Sequence, residues 1–207
     1  MLISFVVLSS CRTLKNAYGC EWELVFYHNS YGSVYFSSFS EALSCNMANK
    51  FSILGSMNET YKFNGKYEFL LEYPGVVGYN WWRQSLLPTS ETENGVSATG
   101  YEPVSISWPG HQWGGLMRST RTDATLLDGS RETGFWWFSI GCITKEFNPR
   151  IPGPYVNDSI NHVVFEVKLW VKISDKPFTT SINAKRFQLL FLINAVLLTV
   201  WHKASES

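Results

Sequence analysis

Strict alternation of apolar and polar residues over residues 163–173 is the clearest pattern in this chain. Such alternation predicts a β-strand with one face in the core and the other near solvent. At ~3.3 Å per residue the strand would span about 36 Å, the height of a small sandwich or barrel. Because the composition changes abruptly after it, we expect it to be the last strand of the domain. The apolar positions are Val163, Phe165, Val167, Leu169, Val171 and Ile173.

Shorter segments of the same kind predict further strands elsewhere in the chain. Residues 22–26 alternate, and residues 67–73 alternate after the turn signal Asn64-Gly65. Residues 135–140 are almost wholly apolar, as expected of a central strand that is covered on both faces. Residues 78–100 are irregular apart from a few aromatic side chains, and they are predicted to form a long loop.

Seven or eight short strands separated by Gly, Pro and Asn turns predict an all-β fold. We expect an antiparallel β-sandwich of jelly-roll type with at most one or two short helices. Ser38 and Glu41 have the spacing of a helix capping box, which predicts one such helix over about 39–48. A chain of 207 residues suffices for one domain, and we assign residues 20–173 to it.

The overall charge narrows the classes of partner. Lys plus Arg and Asp plus Glu number 17 each, so no net field attracts nucleic acid or an anionic membrane, and nucleic acid is not an expected partner. Aromatic residues make up 16% of the chain and include 9 tryptophans. This content suits a β-protein whose core and binding surface are both aromatic.

Both ends of the chain differ in composition from the predicted domain. A short apolar run followed by small residues is typical of a secretory signal, so residues 1–19 are a candidate leader, cleaved near Ser9 or just before Cys20. A truncated gene start or a buried strand is the alternative. Residues 174–207 form a tail in which residues 187–201 carry no charge. A separate apolar helix is predicted there, which would be either a short membrane anchor or a surface helix. The remaining alternative is that the segment comes from a mispredicted exon.

Cysteines and glycosylation sequons bear on the compartment. The cysteines show no CxxC pair and no Cys/His cluster with zinc-ligand spacing, so no structural metal is expected. In an exported protein they would form disulfides, with three pairings open, and in the cytosol they would be buried thiols. The sequons at Asn58 and Asn157 lie in predicted loops and are candidate glycosylation sites. The cysteines are Cys11, Cys20, Cys45 and Cys142.

A set of short motifs across residues 20–173 resembles an uncharacterised family of secreted domains of marine invertebrates, loosely lectin-like or fibrinogen-related. Each motif is weak alone, and the set is specific. No activity and no catalytic residue is established for that family, so the resemblance implies an extracellular location and a probable class only. The motifs include WELVF (22–26), GKYEF (65–69), GYNWWRQS (78–85), WGGL (113–116), LDGS (127–130), WWFSIG (136–141), IPGP (151–154) and EVKLWVK (166–172).

Support for catalysis is thin. The 4 histidines lie in no HExxH arrangement and beside no Gly-x-Ser-x-Gly elbow, and no catalytic residue is assigned. A glycosidase pair among the scattered carboxylates would depend on their separation in space. Three carboxylates lie close enough in sequence for a calcium site, but the EF-hand spacing is absent and a solvated turn is favoured. The carboxylates considered are Glu91, Glu93, Asp123, Asp128 and Glu132, of which the last three are the calcium candidates.

Aromatic and polar residues in turn-rich segments are the strongest functional signal. Sugars present apolar C–H faces and many hydroxyls, so a carbohydrate site combines an aromatic platform with amide and charged hydrogen-bonding groups. The alternative is that these tryptophans pack under long connections, and Trp136 and Trp137 are assigned to the core because their neighbours are apolar. The candidate site residues are Tyr79, Asn80, Trp81, Trp82, Arg83, Gln84, Trp108, His111, Gln112 and Trp113.

We therefore expect an extracellular or cell-surface β-sandwich that binds glycans or extracellular glycoproteins through aromatic loops, without chemistry and without a cofactor. A structural matrix protein whose aromatic residues all lie in the core is the second hypothesis. A glycosidase-like enzyme is the third.

Overall fold

A computed structural model describes residues 13–90, 96–110, 112–119, 124–130, 137–143, 150–157 and 160–175. The fold is all-β and built from antiparallel sheets, which confirms the predicted class. The strands are β1 (Leu14–Ala17), β2 (Cys20–Asn29), β3 (Cys45–Met47), β4 (Lys50–Ser52), β5 (Tyr67–Glu72), β6 (Asn80–Gln84), β7 (Glu102–Ile106), β8 (Met117–Arg118), β9 (Thr125–Asp128), β10 (Ile140–Cys142), β11 (Ile151–Asn157), β12 (Ile160–Val164) and β13 (Glu166–Ser174).

The larger layer is an 8-stranded sheet in the order β3-β4-β2-β13-β5-β6-β7. The remaining strand, β1, pairs with residues 20–23 of β2, whereas β4 pairs with residues 26–28 of β2. The second layer is a 3-stranded sheet in the order β10-β9-β8. The β11–β12 hairpin extends this layer, because Phe138 and Ser139 donate backbone hydrogen bonds to Gly153 and Pro152 at 3.0 and 2.9 Å. Every strand pair in these sheets is antiparallel.

The predicted helix is present and short. It forms α1 (Phe39–Leu43), whose N-cap Ser38 accepts a hydrogen bond from the Glu41 backbone amide through Oγ at 3.2 Å. Two 3-10 turns, Leu54–Ser56 and Glu59–Tyr61, follow it. Residues 45–47 form β3 instead of further helix, since they pair with β4.

The last strand differs from its prediction. Apolar residues occupy every second position through residues 163–173, yet the chain changes partner at Phe165. Strand β12 ends before it and pairs with β11, whereas β13 begins after it and pairs with β2 and β5. The Phe165 carbonyl accepts a hydrogen bond from the Ser30 amide at 2.8 Å, which satisfies the backbone at the break.

The folded part begins before residue 20. Strand β1 lies inside the segment considered as a leader, and its register with β2 places Ala17 opposite Cys20. Removal of all residues before Cys20 would therefore delete a strand, whereas cleavage near Ser9 would keep it. Among the described residues no helix has the length and apolarity needed to cross a membrane, and the predicted helix at 187–201 lies outside them.

The core lies between the two layers. Alternate residues of β5 and β13 point into it, and a bulge in β2 turns both Val25 and Phe26 inward. Leu127 and Ile140 of the smaller sheet meet them from the opposite side. Burial of these aromatic and aliphatic side chains provides the main stabilisation of the sandwich.

Three cysteines are free thiols within the structure, and Cys11 lies outside the described residues. Each of the three pairings with two disulfides would need one bond among Cys20, Cys45 and Cys142. Because these three cysteines are free, none of the three pairings is present in the structure. Cys142 is wholly buried, and burial raises the pKa of its thiol to about 12.

His28 is a titratable group inside the core. Its Nε2–H donates to the Val34 carbonyl at 2.9 Å, and Nδ1 has no hydrogen-bond partner among the described residues. Burial is the main cause that lowers the pKa of His28 to about 4, and the nearby Lys50 ammonium adds to it. The charged imidazolium is therefore disfavoured in the folded protein.

We predict that His28→Gln weakens the acid sensitivity of folding. The unfolded chain binds a proton at this histidine below about pH 6.5, but the folded chain does so only below about pH 4, so the wild type loses stability as the pH falls through this window. Gln keeps a donor for Val34 and does not titrate.

Urea unfolding of both proteins at pH 7.5 and pH 4 measures the effect. Between pH 7.5 and pH 4, the unfolding free energy of the wild type should fall by about 3 kcal/mol more than that of the variant. A difference that stays constant with pH would contradict the assignment.

Candidate functional site

The outer face of the larger sheet, on the side away from the core, is the candidate site. Glu68 of β5 is the centre of this face and its side chain is only 2% exposed. One carboxylate oxygen accepts the Trp81 indole N–H at 2.8 Å. The other oxygen accepts from Arg83 Nε at 2.9 Å and Lys172 Nζ at 3.0 Å. Strands β5, β6 and β13 thus contribute to one hydrogen-bonded cluster.

An aromatic group lies directly beside this cluster. Trp22 of β2 contacts the Trp81 ring edge to face at 5.5 Å between centroids and so supports it from the sheet. Tyr18 lies 4.5 Å from Tyr79 and 6.0 Å from Trp81, again between ring centroids. Tyr18 remains 46% exposed, and Tyr79 and Trp81 are half-buried. We call Tyr18, Tyr79 and Trp81 the aromatic platform.

The β1–β2 hairpin brings Tyr18 to the platform. Tyr18 and Gly19 form its two-residue turn with φ of 55° and 74°, the left-handed conformation that tight hairpins require. A bulky aromatic residue rarely adopts this conformation. The hairpin is fastened to the sheet by the Trp22 indole N–H, which donates to the Ala17 carbonyl at 3.0 Å.

A second carboxylate on β5 repeats the arrangement. Glu72 accepts the Trp170 indole N–H at 2.7 Å and pairs with Lys15 at 2.6 Å. The Lys15 ammonium also lies 4.5 Å from the centroid of the Trp170 ring. Since Glu68 and Glu72 lie four positions apart on one strand, both face outward on either side of Leu70. Paired acids, indoles and amines therefore cover this face.

Beyond the platform the face opens into a cavity of about 400 Å³ with a mostly charged lining, which we call the charged cleft. Arg83 bridges its two main carboxylates, because Nη1 donates to Glu102 at 2.9 Å while Nε donates to Glu68. The side chains of Arg83 and Glu102 are 36% and 46% exposed, so both are accessible. The lining residues are Phe63, Asn64, Lys66, Glu68, Arg83, Glu102, Lys172 and Asp175.

Ion pairing favours the charged forms of Glu102 and Lys172 in the charged cleft. Hydrogen bonds from Lys66 and Arg83 lower the pKa of Glu102 below its usual range. For Lys172, burial acts to lower the pKa, but hydrogen bonds to Asp175 and Glu68 outweigh it and the pKa is raised. The cleft therefore offers fixed donors and fixed acceptors near neutral pH.

Three of the five predicted site residues of β6 lie on the wrong face for binding. Asn80, Trp82 and Gln84 point into the core and are at most 1% exposed, so the prediction of a loop platform is wrong for them. Asn80 exchanges two hydrogen bonds of 3.0 Å with the Trp108 backbone. Gln84 accepts the Trp82 indole N–H at 2.7 Å. These polar residues stabilise the core.

The site prediction is corrected in the same way for Trp108 and Trp113. Trp108 is 3% exposed and packs edge to face on Tyr73, whereas Trp113 is 6% exposed and packs on Trp82 and Phe138 at 5.0 and 4.8 Å. Both belong to the connection between β7 and β8 and pack into the core. Neither ring can form an exposed platform.

The remaining predicted residues divide between two places. Tyr79, Trp81 and Arg83 share the outer face and contribute to the platform and the cleft. Gln112 is exposed after Pro109-Gly110. His111 lies outside the described residues, as does Trp136, while Trp137 is half-buried against the core.

Sequence reasoning missed Tyr18, Lys66, Glu68, Glu102 and Lys172. A signal existed for two of them, since Glu68 and Lys172 hold the polar positions of strands that alternate clearly. Their proximity to Trp81 depends on strand order. In that order β5 lies between β13 and β6, although β13 is remote from both in sequence.

No family model, no curated protein and no solved structure matches this chain. The resemblance to secreted invertebrate domains therefore stays a prediction.

Of the carboxylates considered for catalysis or calcium, Asp128 lies within the described residues. Asp128 is 5% exposed at the end of β9, and burial raises its pKa to about 7. Ser119 and the Ser130 backbone are its hydrogen-bond partners. Within the described ranges no three His, Cys, Asp or Glu residues are grouped to hold a metal ion. Glu91, Glu93, Asp123 and Glu132 lie outside those ranges.

We predict that the adjacent residues Trp81 and Trp82 differ sharply in their contribution to folding. Trp82→Ala should lower the unfolding free energy by about 3–5 kcal/mol, because it removes a wholly buried indole that packs on Phe69 and Trp113. Trp81→Ala should cost about half as much, since that ring is partly in solvent.

Urea denaturation of the two variants, with the wild type as reference, tests this difference. Equal losses, or a larger loss for Trp81→Ala, would show that the two faces of β6 have been assigned wrongly.

Proposed function

We propose that this protein is an extracellular, non-catalytic binding module that recognises glycans on the outer face of its larger sheet. One observation carries the proposal. The buried Glu68 carboxylate holds the Trp81 indole with one oxygen and Arg83 with the other, so the aromatic platform and the charged cleft are contiguous and fixed.

The chemistry of this face suits a sugar. A pyranose ring has an apolar C–H face that packs on aromatic rings, and the platform offers such rings beside solvent. Its hydroxyl groups both donate and accept, and the charged cleft supplies Arg83 as donor and Glu102 as acceptor within one ion pair. Side chains that are ordered before binding lose little entropy when a ligand arrives.

A structural role is the second candidate. A structural protein would have its aromatic residues in the core, and Trp82, Trp108 and Trp113 are indeed buried. The platform argues for the first candidate, because Tyr18 is held in a strained turn and still remains 46% exposed. A structural role in which all aromatic residues lie in the core does not require an exposed tyrosine in such a turn.

The site offers little support for the glycosidase alternative. A general acid needs a carboxyl whose pKa is raised, as in glycosidases with an acid–base pair. Hydrogen bonds from Lys66 and Arg83 act in the opposite direction on the pKa of Glu102. Binding without turnover is therefore the preferred proposal.

The extracellular location rests on the sequence and on the Asn58 sequon. Asn58 is exposed at the start of the Glu59–Tyr61 turn, and its Oδ1 accepts hydrogen bonds from the Thr60 amide and hydroxyl at 2.9 and 2.7 Å. The Asn157 sequon begins at the end of β11 and runs into residues 158–159, which are outside the described part. Glycans or extracellular glycoproteins are the proposed partners.

We predict that the platform determines binding. Trp81→Ala and Tyr79→Ala should each weaken binding to responsive probes on a neutral-glycan array at least about tenfold, a loss of ~1.4 kcal/mol that is reasonable for one stacking ring. Tyr31→Ala is the matched control, because Tyr31 is a tyrosine that is 74% exposed and contacts Phe165, away from the platform.

Isothermal titration with the array's best probe gives the affinities, and circular dichroism checks that each variant is folded. Unchanged affinity in both platform variants, or an equal loss in the control, would refute the assigned face.

We further predict that Asn58 carries an N-glycan when the full chain is expressed in a eukaryotic host. Intact mass before and after enzymatic deglycosylation should show a loss of glycan mass that is smaller by one glycan in Asn58→Gln and in Thr60→Ala than in the wild type. The Thr60→Ser variant keeps the sequon and should keep the glycan. An unmodified Asn58 in secreted protein would contradict the prediction.

A further inference from the structure

Resting on this proposed function, we infer that the charged cleft selects uncharged sugars and rejects acidic or sulfated ones. The inference concerns ligand class at the same site. It follows from how the charges are paired and from which of them reach solvent.

Cations and anions balance within the cleft. Lys66 pairs with Glu102 at 3.0 Å, and Arg83 pairs with both Glu68 and Glu102 at 2.9 Å. Lys172 pairs with Glu68 at 3.0 Å and with Asp175 at 2.6 Å. An incoming carboxylate or sulfate would have to displace Glu102 from Lys66 and Arg83, so it would exchange one anion for another without gaining attraction.

Two acids are the most exposed charged groups of the cleft. The Asp175 and Glu102 side chains are 71% and 46% exposed. The cations Arg83, Lys66 and Lys172 are 36%, 31% and 6% exposed, and the Glu68 side chain is 2% exposed. An anionic ligand therefore meets carboxylates first and is repelled. A ligand that approaches with hydroxyl groups meets strong acceptors.

A hydroxyl group can use this arrangement without breaking it. It can donate to an accessible oxygen of Glu102 and accept from the guanidinium of Arg83, because hydroxyls have both capacities. Hydrogen bonds to charged partners are stronger than those between neutral groups. The existing ion pairs then act as a fixed frame for adjacent hydroxyls.

The platform sets the orientation of the sugar. Trp81 and Arg83 bind opposite oxygens of Glu68, so a ring stacked on the platform directs its hydroxyl edge toward the cleft. The cleft volume of about 400 Å³ lies within the usual range for small-ligand sites. The platform therefore recognises an apolar face of the ligand, and the charged cleft recognises a polar, uncharged edge.

The test measures affinity of the full-length secreted chain for neutral and acidic probes. Lactose, diacetylchitobiose and mannotriose represent the neutral class, and digalacturonic acid and a sulfated chondroitin disaccharide represent the acidic class. We expect at least one neutral probe to bind at least about tenfold more tightly than either acidic probe. Its affinity should change less than about threefold between ~50 and ~500 mM NaCl, since no net charge is neutralised.

Glu102→Gln sharpens the test. It leaves Lys66 and Arg83 without their shared carboxylate, so binding of acidic probes should rise at least about fivefold and become salt-sensitive. Glu166→Gln is the matched control, because Glu166 also pairs with a lysine, Lys168 at 3.0 Å, but does not line the cleft. Its probe preference should equal that of the wild type.

The outcomes separate the inference from the function it rests on. Acidic probes that bind more tightly than neutral ones, with loss in Trp81→Ala, would overturn the selectivity and leave glycan binding standing. A Glu102→Gln variant without any change in preference would also overturn the selectivity. Absence of binding to every probe, or binding that Trp81→Ala and Tyr79→Ala leave unchanged, would overturn the proposed function itself.

Discussion

The arrangement of the outer face depends on one buried carboxylate. Glu68 is almost completely removed from water, and such a carboxylate is tolerated only when it is paired and hydrogen-bonded. Trp81, Arg83 and Lys172 meet that requirement from the two neighbouring strands. Because all three must converge on the same two oxygens, their side chains are held in one arrangement. A single electrostatic constraint thus orders an aromatic ring and a guanidinium beside each other.

The larger sheet is packed on both faces, and the two faces have different roles. Its inner face joins the smaller sheet in a continuous apolar core. Its outer face carries a second cluster around Trp22 and Trp170, with the β1 hairpin over part of it. Trp81 and Trp82 are neighbours in sequence and belong to opposite faces, since successive side chains of a strand alternate. One ring is therefore structural and the other is available to a ligand.

Strand β6 shows why part of the site could not be predicted. Its core positions include the polar residues Asn80 and Gln84, whereas aromatic Trp81 points outward, so its polarity opposes the usual rule. The buried amides are satisfied by the Trp108 backbone and the Trp82 indole, which are contacts that local sequence does not reveal. Aromatic content alone therefore suggested the right segment and misplaced three of its five residues.

The sequence by itself determined the all-β class, strands β2 and β5 and the helix cap at Ser38, because period-two alternation and capping depend on residues close together in the chain. Only the tertiary structure decided where the last strand breaks, at Phe165, and which side chains surround Glu68. Lys172 lies 104 positions from Glu68 along the chain, and only strand order brings the two within hydrogen-bonding distance. Register and strand order arise from packing of the whole sandwich, so no local pattern contains them.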